Sequence, residues 1–373
     1  MGTGGRRSRL PQIVSAVTDS SYHGEMSSII RYRMPEGAEI VSENGSTVII
    51  HVTLPPDDDG HIGRQCPSCK RIFRMHVQDY SALPDDLRLT CPYCCAEEDH
   101  DEFMTGQQKE RAIAAAEEYA QQLVSGTLDE MFSDLDSKVN SRRGAIRIGY
   151  SGDSRPSVRS QPLPPIIEEG LIRERQCAQC GNRYVVFGEH VACPACGPLP
   201  PWVVAEDALE AQEVALAALD QVPDAVLAQL REAGSLERSA AGALGSVVSI
   251  LEKFLKQTFL DRVTGGDAII ARRGNVFQRL DDAAQLYRDH LSVDLQGAMG
   301  AAEWDRICLI YGIRHLATHT NGVVDQRHLD RFPGRGFVLG HRVLTTLTDA
   351  RAAIQLARQL IAAIPLGGAT FAS

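Results

Sequence analysis

Eight of the ten cysteines stand in four Cys-x-x-Cys pairs: Cys66/Cys69, Cys91/Cys94, Cys177/Cys180 and Cys193/Cys196. Two thiolates on one tight turn converge on one ion, and two such turns complete the tetrahedron that zinc takes. The intervening segments are 21 residues long in the first unit and 12 in the second. Pro67, Pro92 and Pro194 fix the turns, while Gly181 and Gly197, each directly after a cysteine, let the backbone fold back. Four thiolates leave no open coordination position, so the expected cofactors are two structural Zn2+, with none for catalysis. Disulfides or a redox Cys-x-x-Cys do not explain why the pairs themselves come in pairs. Cys95 follows Cys94 and is an alternative ligand; Cys308 lies in an apolar run and reads as core.

A second group sits near the C-terminus. Trp304, Ile307, Cys308 and Tyr311 repeat at helical spacing, and one turn further the same stripe meets Arg314 and His315. Such groups on a core-facing side are costly unless paired or used. His319 follows four residues after His315, and Asn321-Gly322 is a helix stop. Arg314 could instead pair with Asp305, Glu252 or Asp281, and His315, His319 and Asp325 could hold a metal. Arg71/His76, Arg183/His190 and Arg335/His341 have a similar spacing, but only Arg314/His319 lies at the end of an apolar helix.

The elements that must position these residues can be read along the chain. Residues 1–36 read as a mobile N-terminus. Residues 37–105 hold a β-hairpin, turning at Asn44-Gly45, and the first cysteine unit, with Arg71–Val77 as its strand. A helical connector covers 106–139, with Ala112, Ala116, Tyr119, Leu123, Leu128 and Phe132 near helical spacing, and a Ser/Gly/Arg/Pro-rich linker covers 140–165. The second cysteine unit occupies 166–203, with Arg183–Phe187 as its strand. Both units resemble zinc ribbons. Residues 205–366 read as an all-α bundle and 367–373 as a tail. Its apolar stripes are Leu244/Val247/Val248/Leu251/Phe254/Leu255, Val276/Leu280/Ala283/Tyr287/Leu291 and Val343/Leu347/Ala350/Ile354/Ala357/Ile361/Ile364. The fold class expected is therefore two small β modules ahead of an all-α bundle.

The run Arg314-His315-Leu316-Ala317-Thr318-His319-Thr320-Asn321-Gly322-Val323-Val324-Asp325, ending a helix in a small bundle, resembles the HEPN domain. His315 stands where that family often has Asn. The resemblance implies a metal-independent endoribonuclease of defence or stress systems, acting as a homodimer with the two motifs facing each other. Arg314 would then hold the scissile phosphate, His319 would move the proton, and His315 would assist. Five helical residues rotate His319 about 140° from Arg314. One regular helix cannot aim both at one phosphate, unless it ends early or a second protomer contributes.

Composition bounds the partners. The formal net charge of −10 opposes non-specific coating of nucleic acid. From residue 205 onward the balance is nearer even, with 17 Lys and Arg against 20 Asp and Glu, leaving room for a local RNA site. No stretch reaches the roughly 18 to 20 apolar residues of a membrane helix, and no apolar segment follows the basic N-terminus; a cytoplasmic protein without a membrane partner is expected. Walker, GxSxG, HExxH and paired-carboxylate signatures do not occur, and Gly265-Gly266 reads as an ordinary helix–helix loop. The alternative to the nuclease is a non-catalytic adaptor that binds RNA or protein.

Overall fold

A computed structural model of the chain describes residues 16–19, 34–44, 47–140, 162–163 and 174–365. It divides into two compact units, Met1–Pro198 and Leu199–Ser373. Most of the expected N-terminal segment, of the 140–165 linker and the whole 367–373 tail lie outside the described residues.

The first unit begins with β1 (Ala16–Asp19), β2 (Ala38–Asn44) and β3 (Thr47–Val52), in antiparallel order β1-β3-β2. β3 alternates, burying Val48, Ile50 and Val52, the period-two pattern of a half-buried strand. β2 and β3 form the expected hairpin, but Asn44 pairs with Thr47 as the last residue of its strand, one residue on from the Asn44-Gly45 turn. β1 falls inside the segment expected to be mobile: Ala-Val-Thr-Asp is too short to show a period, yet it pairs with the free edge of β3.

Next come β4 (His61–Gln65), β5 (Ile72–His76), α1 (Val77–Ser81), β6 (Leu89–Thr90) and β7 (Glu97–Glu98). α2 (Gly106–Asn140) follows, and then β8 (Glu174–Gln176), β9 (Arg183–Val185), β10 (Ala192–Cys193) and β11 (Gly197–Pro198). α2 lays Ala112, Ala115 and Tyr119 on the hairpin sheet, and Leu163 of the expected linker joins this core. Leu128 and Phe132, extrapolated from the same stripe, are instead 44% and 46% exposed, because the sheet beneath α2 does not reach them.

The second unit is helical: α3 (Pro201–Leu219), α4 (Asp224–Glu232), α5 (Ser235–Arg262), α6 (Gly266–Ala271), α7 (Leu280–Leu291), α8 (Leu295–Met299), α9 (Ala301–His319), α10 (Gln326–Arg331) and α11 (Leu347–Ala362). Its first helix takes in Trp202–Val204, residues expected to lie in the second cysteine unit and in the gap before the bundle, because Pro201 at the first helical position pre-sets the helix. α5 is the central post. All six residues of its apolar stripe are buried, against α3, α9 and α11. The Tyr287 hydroxyl of α7 donates to the Leu255 carbonyl at 2.7 Å, satisfying a buried polar atom.

Two stripes begin later than their spacing suggests. Val276 packs from a separate 3-10 turn, since Arg279 is extended and α7 starts beside Asp281 and Asp282, acids that favour a helix N-terminus. Val343 precedes α11, which is capped reciprocally by Thr346 and Asp349.

The end of α9 is held by the segment that follows it. Phe332 and His328 pack over Gly312, where a Cβ would collide with the Phe332 ring. Alanine would gain about 1 kcal/mol of helix propensity there, yet the ring fills the space it needs. Gly312→Ala is therefore expected to destabilise the helical unit by about 1–3 kcal/mol, read from the denaturant midpoint at unchanged slope. A midpoint equal to or above the parent's would show that Phe332 moves aside without cost.

Candidate functional site

Each cysteine set converges. Among the described residues, the sulfurs of Cys66, Cys69, Cys91 and Cys94, and those of Cys177, Cys180, Cys193 and Cys196, lie within 4.8 Å of one another. The Sγ separations are 3.7 Å for Cys66–Cys94 and Cys69–Cys91, 3.5 Å for Cys177–Cys196 and 3.7 Å for Cys180–Cys193. Four sulfurs about 2.3 Å from a central ion stand about 3.8 Å apart, so the clusters have metal-binding dimensions. Backbone amides aim at the sulfurs as well: Cys69 N–H at Cys66 (3.4 Å), Tyr93 N–H at Cys91 (3.4 Å) and Ala195 N–H at Cys193 (3.5 Å). Burial pushes the Cys91 and Cys193 thiols up, Cys193 to about 12, so four thiolates here require a cation to hold the protons off.

The residue after each second cysteine is left-handed: Lys70 (φ 62), Cys95 (φ 58), Gly181 (φ 75) and Gly197 (φ 87). That turn brings the amide after the knuckle back onto the first cysteine's carbonyl, as in Lys70 to Cys66 (3.0 Å), Cys95 to Cys91 (3.0 Å) and Gly181 to Cys177 (2.8 Å). Cys95 thus holds the place glycine takes in the second unit. It is exposed and outside the four-sulfur cluster, so it does not displace Cys94.

The spacing describes two units one at a time, but their strands form one antiparallel sheet, in the order β4-β5-β9-β8. β5 pairs with β9 at Arg74–Val185 and Met75–Tyr184. Arg74 is five residues after Cys69 and Val185 five after Cys180, so the halves are related by an approximate twofold axis through that pair. The knuckles obey it too: the Thr90 amide donates to the Pro194 carbonyl (2.9 Å), and the Ala192 amide to the Pro92 carbonyl (3.2 Å). Gln65 and Gln176, each just before a first cysteine, donate to the Lys70 and Gly181 carbonyls. The sequence signal for this symmetry is the repeated Arg-Gln-Cys-x-x-Cys at 64–69 and 175–180.

Side chains reinforce the joint. Arg183 forms a fork onto Asp79 at 2.8 and 2.9 Å and meets His76 at 2.9 Å. Arg71 stacks on Tyr93, 3.5 Å from the ring centroid, and donates to the Phe187 carbonyl. Arg71/His76 and Arg183/His190 are thereby accounted for as joint and core residues, His190 being buried against the Tyr184 hydroxyl.

In the helical unit, Trp304, Ile307, Cys308 and Tyr311 are buried, whereas the two residues read beside them diverge. Arg314 is 23% exposed, with its guanidinium 3.8 Å from Glu252. His315 is exposed, and Leu316 takes the buried place. Burial pushes the Glu252 carboxyl up, against the pull of Arg314. Asp281 receives Arg331, the Trp304 ring N–H and the Cys308 thiol, and Asp305 pairs with Arg335. Of the three acids considered for Arg314, Glu252 is therefore its partner.

α9 continues through His319 without a break. Arg314 and His319 thus remain about 140° apart on one helix and do not converge within the chain. His315 and His319 do meet, ring centroids 4.5 Å apart. Partial burial, then the neighbouring His319 and Arg327, lower the His315 pKa. No metal-binding group forms among His315, His319 and Asp325 within the described residues; Asp325 caps α10, accepting from the His328 amide at 2.8 Å. After Thr320, Asn321 (φ 53) and Gly322 (φ 81) turn the chain out of the helix, and the Gly322 amide returns to the Leu316 carbonyl.

Shared strands and knuckle-to-knuckle bonds make the two clusters one folding unit. The intact chain is expected to carry two metal equivalents by elemental mass spectrometry, and Cys193→Ser to lower that count towards zero. A stable count of one would mean the halves fold independently. The histidines titrate with a defined sign: His76, His100, His315 and His328 are all lowered, burial being the first cause in each. The unfolded chain then binds more protons as pH falls through about 6.5, so the melting temperature should drop between pH 7 and pH 5; a flat or rising profile would contradict these environments.

Compared with protein-family models, curated proteins and solved structures, the chain matches none.

Proposed function

We propose that both clusters hold zinc and that the helical unit is a HEPN-type endoribonuclease, cleaving RNA phosphodiesters without a catalytic metal. Four thiolates in a tetrahedral set suit zinc above other common divalent ions. What carries the nuclease reading is the end of α9. It combines an Arg held half-buried by a carboxylate with an exposed terminal His, followed at once by a left-handed stop.

The chemistry follows from the groups. Arg314 presents a fork to phosphate oxygens and offsets charge gathering on phosphorus. A neutral imidazole takes the proton of the 2′-hydroxyl as its oxygen attacks, and a protonated one returns a proton to the departing 5′-oxygen. The lowered pKa of His315 favours its neutral form. Because one helix turns Arg314 and His319 apart, two copies facing each other must compose the site. The defence or stress setting belongs to the family resemblance alone.

The competing reading is an adaptor without catalysis, favoured by the Arg314–Glu252 pair, which gives the arginine a structural partner, and by the net charge of −10. Purified chain is to be incubated with structured and total RNA in EDTA, beside Arg314→Ala and His319→Ala checked for fold by circular dichroism. Loss of about 100-fold or more in cleavage rate by both folded variants is expected. Equal cleavage by parent and variants would mark a contaminant, and no cleavage by the parent would favour the adaptor.

A further inference from the structure

Beside the end of α9 the helical unit leaves a gap. Ala241 of α5, with Ile313 and Ala317 of α9, supplies the apolar lining of a cavity of about 170 Å³, to which Val343 and Thr345 also contribute. Alanine at 241 and 317 leaves room that larger side chains would fill. The frame is tight: the Val343 amide donates to the Gly322 carbonyl at 2.9 Å, and a Cβ on Gly322 would stand 3.3 Å from the Val343 carbonyl oxygen. The remaining lining is polar, from Glu237, Arg238, Asn321 and Arg342. Thr345 is only 8% exposed, yet its hydroxyl, like the Asn321 amide, makes no hydrogen bond among the described residues. A hydroxyl so far buried ordinarily has a partner. Arg342 meets Glu237 at 3.0 Å and Arg238 donates to the Ala233 carbonyl at 3.0 Å. A guanidinium carries several further N–H donors, so both keep some to spare.

We infer that this cavity is a pyrimidine pocket, which takes one base of a single-stranded RNA while Arg238 and Arg342 hold neighbouring phosphates. The inference rests on the RNA reading above, but not on cleavage. Size selects the ring: an apolar cavity of about 150 Å³ accepts benzene, so this one suits a single six-membered ring and not a purine's fused pair. Ligands that bind whole fill about 300–1,000 Å³, so a single unit of a longer chain fits better than a free nucleotide. Chemistry agrees. The Asn321 amide offers a donor and an acceptor side by side, and the Thr345 hydroxyl offers both, which matches the adjoining N–H and C=O groups on a pyrimidine edge. Unstacked bases seated in pockets are the usual route to reading single-stranded RNA. Two arginines against Glu237 leave the rim positive in a chain of net charge −10, a local attraction for phosphate. At about 100° per residue, Ala317 stands about 60° from Arg314 around α9, so the pocket lies nearer the side of the proposed phosphate-holding residue than His319 does.

Binding tests the pocket apart from catalysis. The full-length chain carrying His319→Ala is titrated with fluorescently labelled RNA hexamers of U, C and A, read by anisotropy. A pyrimidine hexamer should bind at least tenfold tighter than the A hexamer. Ala317→Leu fills the cavity from an exposed helical position and should abolish that preference; Thr345→Val, which keeps the shape and removes the hydroxyl, should reduce it at least threefold. Arg342→Gln should weaken all three hexamers alike and flatten the salt dependence. Circular dichroism checks the fold of each variant. Equal binding of the three hexamers, a preference for A, a preference indifferent to both Ala317→Leu and Thr345→Val, or no binding at all would each overturn the pocket. Cleavage by the parent chain without any base preference would overturn the pocket and leave the nuclease. A preference removed by Ala317→Leu, in a chain whose parent cuts nothing, would keep the pocket and sink only the nuclease.

Discussion

Four sulfurs held 3.5–3.7 Å from their neighbours cannot all be thiolates unless a cation sits among them. The rest of the first unit depends on that constraint, twice over. The strands between the pairs are short, two to five residues, and would not persist alone. Each knuckle supplies the closure, and each closed half then offers its partner an edge strand and a proline carbonyl. The pseudo-twofold arrangement removes one free edge from each half, leaving β4 and β8 outermost.

The helical unit is organised differently, around α5 as an apolar post. Its ionisable groups are handled at the margins: Asp281 gathers three donors, Arg358 meets Glu206 and Glu213, and Arg351 meets Asp220. The Arg314–Glu252 pair stands apart. Its carboxylate is partly buried, with one oxygen, Oε1, buried and lacking a hydrogen bond, and the guanidinium lies 3.8 Å away, beyond hydrogen-bond reach. A partly buried charge pair so loosely matched adds little to stability, and it leaves the guanidinium with donors to spare for an anion. In the proposed nuclease Glu252 would position Arg314 without consuming it.

The residue types and spacing determined much by themselves. Eight cysteines in paired pairs specified both clusters, because ligand chemistry restricts residue identity more tightly than any packing rule. The α5 stripe was legible for a similar reason: a helix buried on several sides repeats its apolar residues too often to be mistaken. Asn44-Gly45 and Asn321-Gly322 marked a hairpin and a helix stop, since few residues tolerate left-handed backbone.

What only the tertiary structure decided depends on partners distant in the chain. That the two cysteine units share a sheet follows from β5 meeting β9 across more than 100 residues, and no local pattern records which edge a strand will choose. That Leu128 faces water, and His315 with it, depends on where the neighbouring sheet or bundle ends. Periodicity says which residues share a face, and only the packing of the whole unit says how far along that face there is something to touch.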